Sequence, residues 1–122
     1  MAEEITIPFL ANIDKASAPN APTRQTLTWL AQRDGKVVYM DFIFYPTMET
    51  LRVYAKLWDG SEERDIIHFA TGSLTYIALH DASIRIHCNK DFRAGDEIRI
   101  TGENWDTADP HRMRVFATVE LY

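Results

Sequence analysis

Polar and apolar side chains alternate along residues 112–121, and this alternation constrains the fold more than any other feature of the sequence. A period of two is typical of a β-strand with one buried face. The chain stops one residue later, so we expect this strand to complete a sheet. Short segments of the same kind recur through most of the sequence, separated by turn residues such as Asp34-Gly35 and Asp59-Gly60.

Strand segments with turn signals at short intervals predict an all-β protein of about 8–9 strands. The predicted fold is an antiparallel β-sandwich, with a jelly-roll-like arrangement as one form of it. Residues 36–45 are apolar on both faces, which indicates a central or covered strand. Further strands are expected at residues 74–80, 83–88 and 97–101, with loops at 89–96 and 102–110.

Residues 48–58 fit two patterns. Met48, Leu51, Ala55 and Trp58 have helical spacing, whereas the alternation from Leu51 to Leu57 fits a strand. The strand is favoured because the hairpin turn Asp59-Gly60 follows it and residues 66–69 are apolar enough to form its partner.

The apolar positions that share a phase in the clearest strands predict the core. We expect the buried side chains to be those of Val38, Met40, Phe42, Phe44, Ile84, Ile86, Ile98, Ile100, Val115, Ala117 and Val119.

Two regions are predicted: residues 1–22 as an N-terminal strand or arm with a linker, and residues 23–122 as a single β-sandwich domain. Residues 5–10 are apolar, and the segment after them is rich in Pro, Ala and Asn, as linkers are. Residues 5–10 are either the first strand of their own sandwich or an extended arm that adds to the sheet edge of a neighbour.

Composition narrows the classes of function. The net charge of −5 argues against binding to nucleic acid, which favours a basic surface. No stretch reaches the roughly 20 apolar residues of a membrane span, and the acidic start is unlike a signal peptide. With one cysteine, Cys88, no internal disulfide can form. We therefore expect a protein that is cytoplasmic at synthesis and binds neither nucleic acid nor membranes.

No catalytic, cofactor or metal motif is recognisable. His68, His80, His87 and His111 lack the spacing of a metal site. Cys88 shares a strand face with isoleucines, so a buried and unreactive thiol is expected. The acidic loop around Trp105 does not have the spacing of a calcium loop of the EF-hand type. Asx turns explain its Asp and Asn residues.

Arginines and aromatic residues on the outward phase suggest a binding surface. Arg85, Arg99 and Arg114 would line one outer face if their strands shared a sheet. Several aromatic side chains fall opposite the predicted core, which indicates a covered outer face or stacking on sugar rings. The residues predicted to bind a partner are Tyr39, Tyr54, Trp58, Arg85, Arg99, Trp105, Arg114 and Phe116.

These features together favour a non-enzymatic structural or assembly protein. Its most concrete form is a small virion protein, such as a phage-head decoration or capsid-associated protein, that self-associates and binds a larger particle. A homo-oligomer is expected, with a trimer slightly favoured over other states, and the mature location would then be the virion. The alternative is a carbohydrate-binding β-sandwich module, so a glycan is the other expected partner.

Overall fold

The computed structural model describes residues 2–45, 50–67 and 76–122. Within these ranges no helix has the length and apolar character needed to cross a membrane. The described residues form eight β-strands: β1 (Glu3–Ile13), β2 (Thr23–Leu30), β3 (Gly35–Phe44), β4 (Leu51–Trp58), β5 (Glu63–Asp65), β6 (Ala82–Phe92), β7 (Glu97–Asn104) and β8 (His111–Leu121).

The strands build two four-stranded sheets. The first sheet has the order β1-β8-β3-β6, the second has the order β2-β7-β4-β5, and all neighbours are antiparallel. The chain changes sheet at every connection except that between β4 and β5. The predicted antiparallel β-sandwich is therefore confirmed.

Strand β8 shows why the alternating sequence folds in this way. Met113, Val115 and Ala117 are buried between the sheets, and the intervening Arg114 and Phe116 lie on the outer face. Successive side chains of a strand point to opposite faces, so one strand serves the core and the surface together. β8 pairs with β1 on one side and with β3 on the other.

Most of the predicted core is buried, from Met40 and Phe42 in β3 to Val119 in β8. Val38 is an exception and is only half-buried. The register of β3 shifts between Val37 and Tyr39, and this bulge places Val37 rather than Val38 in the core.

Two predicted core residues lie in the edge strand β6. Ile84 is 39% exposed, and Ile86 is partly buried against the core. Both alternate with outward residues as predicted, but an edge strand has less of the opposing sheet in front of it. The prediction of burial is therefore wrong for Ile84, whereas Ile86 packs against the core but is only partly buried.

The hairpin predicted at Asp34-Gly35 is wrong. The turn leads from β2 in the second sheet to β3 in the first, so these strands do not pair. Gly35 instead allows a close approach between strands. A Cβ at this position would overlap the backbone oxygen of Glu120 and lie 2.9 Å from the Cζ atom of Phe92.

Strand β4 confirms the strand interpretation of residues 51–58; Met48 lies outside the described residues. The hairpin at Asp59-Gly60 is also present, and Gly60 has a φ of 94°. Its second strand is β5, which ends before the predicted partner segment 66–69. Ile66 and Ile67 are buried after β5, and residues 68–69 lie outside the described ranges.

Other boundaries differ from those predicted. Of the strand predicted at residues 74–80, residues 76–80 contain only an isolated bridge between Ile77 and Val53, and residues 74–75 are not described. β6 runs to Phe92 and β7 runs to Asn104, each three or more residues into a predicted loop. Pairing with a neighbouring strand extends both strands beyond their apolar alternation.

Strand β1 belongs to the first sheet and pairs with β8 of the same chain along its whole length. It contributes the buried side chains of Ile7, Phe9, Ala11 and Ile13. Ile13 lies over Gly102 of β7, where a Cβ would overlap its Cδ1 atom. The division of the chain into residues 1–22 and 23–122 stays a prediction.

Replacing Phe42 by alanine is expected to destabilise the fold by about 3–5 kcal/mol, because the side chain is fully buried and leaves a cavity. Chemical denaturation of both proteins measures this change. Ile84→Ala is the matched control, and it should cost less than half as much because Ile84 is 39% exposed. Equal losses for the two variants would contradict the arrangement of β3 and β6.

Deleting residues 1–22 is expected to give an insoluble or molten protein, because the first sheet would lose an edge strand and that strand's four buried side chains. Circular dichroism and thermal melting measure the outcome. A folded domain with a normal cooperative melt and lost assembly would instead identify the segment as an arm.

Candidate functional site

The residues predicted to bind a partner divide between the two outer surfaces of the sandwich. We call the solvent side of β1-β8-β3-β6 the first outer face and that of β2-β7-β4-β5 the second outer face. The first outer face carries Tyr39, Arg85, Arg114 and Phe116. The second outer face carries Tyr54, Trp58, Arg99 and Trp105.

The three arginines would line one face only if their strands shared a sheet, and this condition is not met. Arg85 and Arg114 lie in the first sheet, and Arg99 lies in β7 of the second sheet. The chain crosses from one sheet to the other before and after β7. The outward side chains of β7 therefore lie on the opposite outer face from those of β6 and β8.

Apolar side chains form adjacent rows on the first outer face. Pro8 pairs with Phe116, and one row further along Leu10 pairs with Arg114, which pairs in turn with Ile43. Leu10 is 41% exposed, and Phe116 and Ile43 are half-buried. Directly opposed residues in antiparallel strands have their Cβ atoms about 4.5–5.5 Å apart, so Pro8 and Phe116 are neighbours. Leu10 and Ile43 lie on either side of Arg114 in the next row, diagonal to Phe116.

A charged pair borders these rows on the β6 side. Arg85 donates two hydrogen bonds to Asp41, at 2.8 and 3.1 Å, and its guanidinium lies 4.0 Å from the centre of the Tyr39 ring. Hydrogen bonding to Asp41 raises the pKa of Arg85. Arg114 donates to the backbone oxygen of Tyr45 at 2.8 Å. Both arginines are fixed in place by these bonds.

On the second outer face, the carboxylate of Glu103 is the centre of a polar network. Its side chain is only 2% exposed, although Glu103 points away from the core. It accepts hydrogen bonds from Arg24, from the Tyr54 hydroxyl at 3.2 Å and from the Trp105 indole. A buried carboxylate requires such partners, because leaving it unpaired is costly.

Four side chains stack beside Glu103, and we call them the arginine–aromatic stack: Tyr54, Tyr76, Arg52 and Trp105. The rings of Tyr54 and Tyr76 lie 5.6 Å apart. The Arg52 guanidinium lies 4.7 Å from the Tyr76 ring and 4.6 Å from the Trp105 ring. Burial, followed by the charge of Glu103, raises the pKa of Tyr54, so its hydroxyl remains a donor.

A depression opens next to the stack. Its volume is about 250 Å³, and it is lined by Arg24, Tyr54, Lys56, Glu63, Thr101 and Glu103. The hydroxyls of Thr26 and Thr101 lie 2.7 Å apart across β2 and β7. Lys56 forms an ion pair with Asp65 at the far side.

Trp58 and Arg99 occupy the opposite end of the same face. The Arg99 guanidinium lies 4.7 Å from the Trp58 ring and donates to Glu97 at 2.7 Å and Glu63 at 3.1 Å. These bonds raise the pKa of Arg99, with Glu97 as the larger cause. Arg99 is thus shared between an aromatic ring and two carboxylates.

The loop after β7 has the predicted Asx turns. Asp106 accepts hydrogen bonds from the backbone of Ala108 and Asp109, and its second oxygen lies 2.9 Å from the ring of His111. The Ala108 bond, then His111, lowers the pKa of Asp106. Among the residues that the structure describes, no group of three or more His, Cys, Asp or Glu side chains is placed to hold a metal ion.

Cys88 faces inward from β6 with Ile86, as expected from its strand phase, and is half-buried. Burial raises the pKa of the thiol to about 11. At neutral pH the group is therefore the protonated thiol rather than the nucleophilic thiolate.

Sequence reasoning missed Glu103 and Arg24. Glu103 falls in the loop predicted at residues 102–110, and Arg24 lies outside the strands predicted above. They are direct cross-strand neighbours in β7 and β2. The sequence does contain a signal that Glu103 belongs to a strand. Arg99, Thr101 and Glu103 occupy every second position on the outward side and continue the alternation of β7 beyond its last apolar residue.

No family model matches the sequence, and no curated protein matches it. Among solved structures, the chain is similar to CBM32-1 from a family 31 glycoside hydrolase of Clostridium perfringens. The TM-score is 0.48 at 14% identity, over 91% of this chain and 92% of that chain.

The chain is also similar to the VP2 subviral particle protein of infectious bursal disease virus, with a TM-score of 0.46 at 9% identity over 98% of this chain. It spans about a third of that protein, 32% of its length.

Replacing Glu103 by glutamine is expected to lower the free energy of unfolding by about 1–3 kcal/mol, because it removes the buried charge that pairs with Arg24. Urea denaturation measures the loss. Glu97→Gln is the matched control on the same strand, and its effect should be much smaller because the Glu97 side chain is 28% exposed. A control loss as large as that of Glu103→Gln would contradict a structural role for the network.

Proposed function

We propose that this protein is a non-enzymatic structural protein that associates with copies of itself and with a larger assembly. Its most concrete form is a small decoration or capsid-associated protein of a virion, such as a phage head, and its final location is then the virion. The observation that supports this proposal is the block of apolar rows on the first outer face, around Pro8, Leu10, Ile43 and Phe116.

The composition of this face resembles that of a protein–protein interface. Such interfaces are enriched in aromatic residues and arginine at the expense of lysine and glutamate. Phe116 and Tyr39 supply the aromatic rings, and Arg85 and Arg114 are held by hydrogen bonds beside them. Apolar side chains grouped with arginines on one exposed sheet surface fit such an interaction site.

The architecture alone does not select this function. Jelly-roll sandwiches occur in viral capsid domains and in lectins, and one fold hosts many functions. The first outer face supports assembly specifically, because covering it removes apolar surface from water.

Copies that associate through this face form a dimer or a closed ring when the rotation that relates one copy to the next closes on itself. The trimer favoured by the sequence interpretation is the expected state. β1 and β6 are the edge strands of this sheet in the part of the chain that the structure describes, and edge strands can offer backbone groups to neighbouring copies beside the apolar rows.

Replacing Phe116 by glutamate places a charge in the middle of the apolar rows and is expected to convert an oligomer into a monomer. Sedimentation velocity at micromolar concentration measures the state. The matched control is Trp58→Glu, which puts the same charge on the second outer face and should leave the oligomer intact.

Circular dichroism checks that both variants are folded. We expect Phe116→Glu to fold, because the side chain of Phe116 points outward and does not contribute to the core between the sheets. A wild-type protein that is monomeric in solution and does not co-sediment with capsid particles would refute the proposal. Dissociation by Trp58→Glu in place of Phe116→Glu would move the interface to the other face.

A further inference from the structure

We infer that the depression on the second outer face, between Arg24, Tyr54 and Thr101, is a binding site for a neutral carbohydrate, of the size of one sugar ring. This inference does not depend on the proposed assembly, because the depression lies on the opposite side of the sandwich from the apolar rows.

Four strands supply the lining. Arg24 comes from β2, Tyr54 and Lys56 from β4, Glu63 from β5, and Thr101 from β7. Sites built on strands hold their side chains more rigidly than sites built on loops. The volume of about 250 Å³ lies below the range of about 300–1,000 Å³ for drug-sized ligands, which fits a single small ring.

The charges of the lining indicate a neutral ligand. Arg24 and Lys56 are cationic, and Glu63 and Glu103 are anionic, so the formal charges cancel. An anion would meet the two carboxylates, and a cation would meet the two basic groups. A polyol carries no charge and can both donate to carboxylates and accept from cations, so it uses groups of both signs.

One wall of the depression is aromatic. The ring of Tyr54 presents an apolar surface, as the C–H face of a sugar requires, and the hydroxyls of Thr26 and Thr101 supply exchangeable donors and acceptors beside it. Apolar lining with a few placed polar groups is the usual composition of a small-molecule site.

The site is organised before any ligand arrives. Glu103 holds Arg24 and the Tyr54 hydroxyl, and Tyr76 packs on the Tyr54 ring at 5.6 Å. Arg24 remains 65% exposed while one of its nitrogens is bonded to Glu103. A side chain that is already oriented loses less entropy on binding.

Titration of the isotope-labelled full chain, followed by amide chemical shifts, tests the inference. The probes are glucose, galactose, mannose and N-acetylglucosamine, with glucuronate and glucosamine as charged counterparts. At least one neutral sugar is expected to cause saturable shifts around residues 24, 54 and 101, with a dissociation constant on the order of 1 mM.

Thr101→Val removes one hydroxyl at nearly constant shape and is expected to weaken binding about fivefold. Thr28→Val is the matched control on the same face, outside the depression, and should bind as the wild type does. Arg24→Lys keeps the charge that pairs with Glu103 but removes the guanidinium fork, and it should also weaken binding.

Three results would overturn the inference. The first is the absence of saturable shifts with every neutral sugar. The second is stronger binding of a charged counterpart than of its neutral form. The third is equal weakening by Thr101→Val and Thr28→Val, which would place the ligand elsewhere on the surface.

Discussion

Strand β8 is the element on which the first sheet depends, because it is hydrogen-bonded to β1 on one side and to β3 on the other. Its inward side chains meet β4 and β7 across the sandwich. The same register sets the surface, since Phe116 lies opposite Pro8 in β1 and opposite Asp41 in β3. The core and the apolar rows are therefore fixed by one set of backbone hydrogen bonds.

The sequence was sufficient to predict which side chains of a strand share a face, because alternation is a local property. It correctly separated Met113 and Val115 from Arg114 and Phe116. It failed at Val38, where one additional residue in β3 reverses the phase. A bulge of this kind depends on both neighbouring strands and leaves little trace in the strand itself.

Pairing between strands is not local, and here the sequence was least informative. Asp34-Gly35 has the composition of a hairpin turn but connects two sheets. The sequence likewise does not show that Arg99 lies in a different sheet from Arg85 and Arg114. The network around Glu103 could not be predicted, because Arg24 and Glu103 are separated by 79 positions and meet only when β2 pairs with β7.

The two outer faces differ in chemistry. The first has apolar rows bordered by arginines, and the second has balanced charges and stacked rings around Glu103. Sheets that pack face to face lie about 10 Å apart. Because the faces point in opposite directions, one of them can be covered by a neighbouring chain while the other remains open to solvent.

The close contacts at Gly35 and Gly102 have a consequence for sequence divergence. At each position a Cβ would overlap an atom of another strand: the backbone of Glu120 in one case and the side chain of Ile13 in the other. The backbone oxygen over Gly35 cannot turn aside, whereas the atoms over Gly102 are the ends of the Ile13 and Met113 side chains, which can shift or be shortened. Distant relatives with the same sandwich should therefore keep the glycine that begins β3, whereas a larger residue at the β7 position should occur together with a smaller one at the facing position of β1.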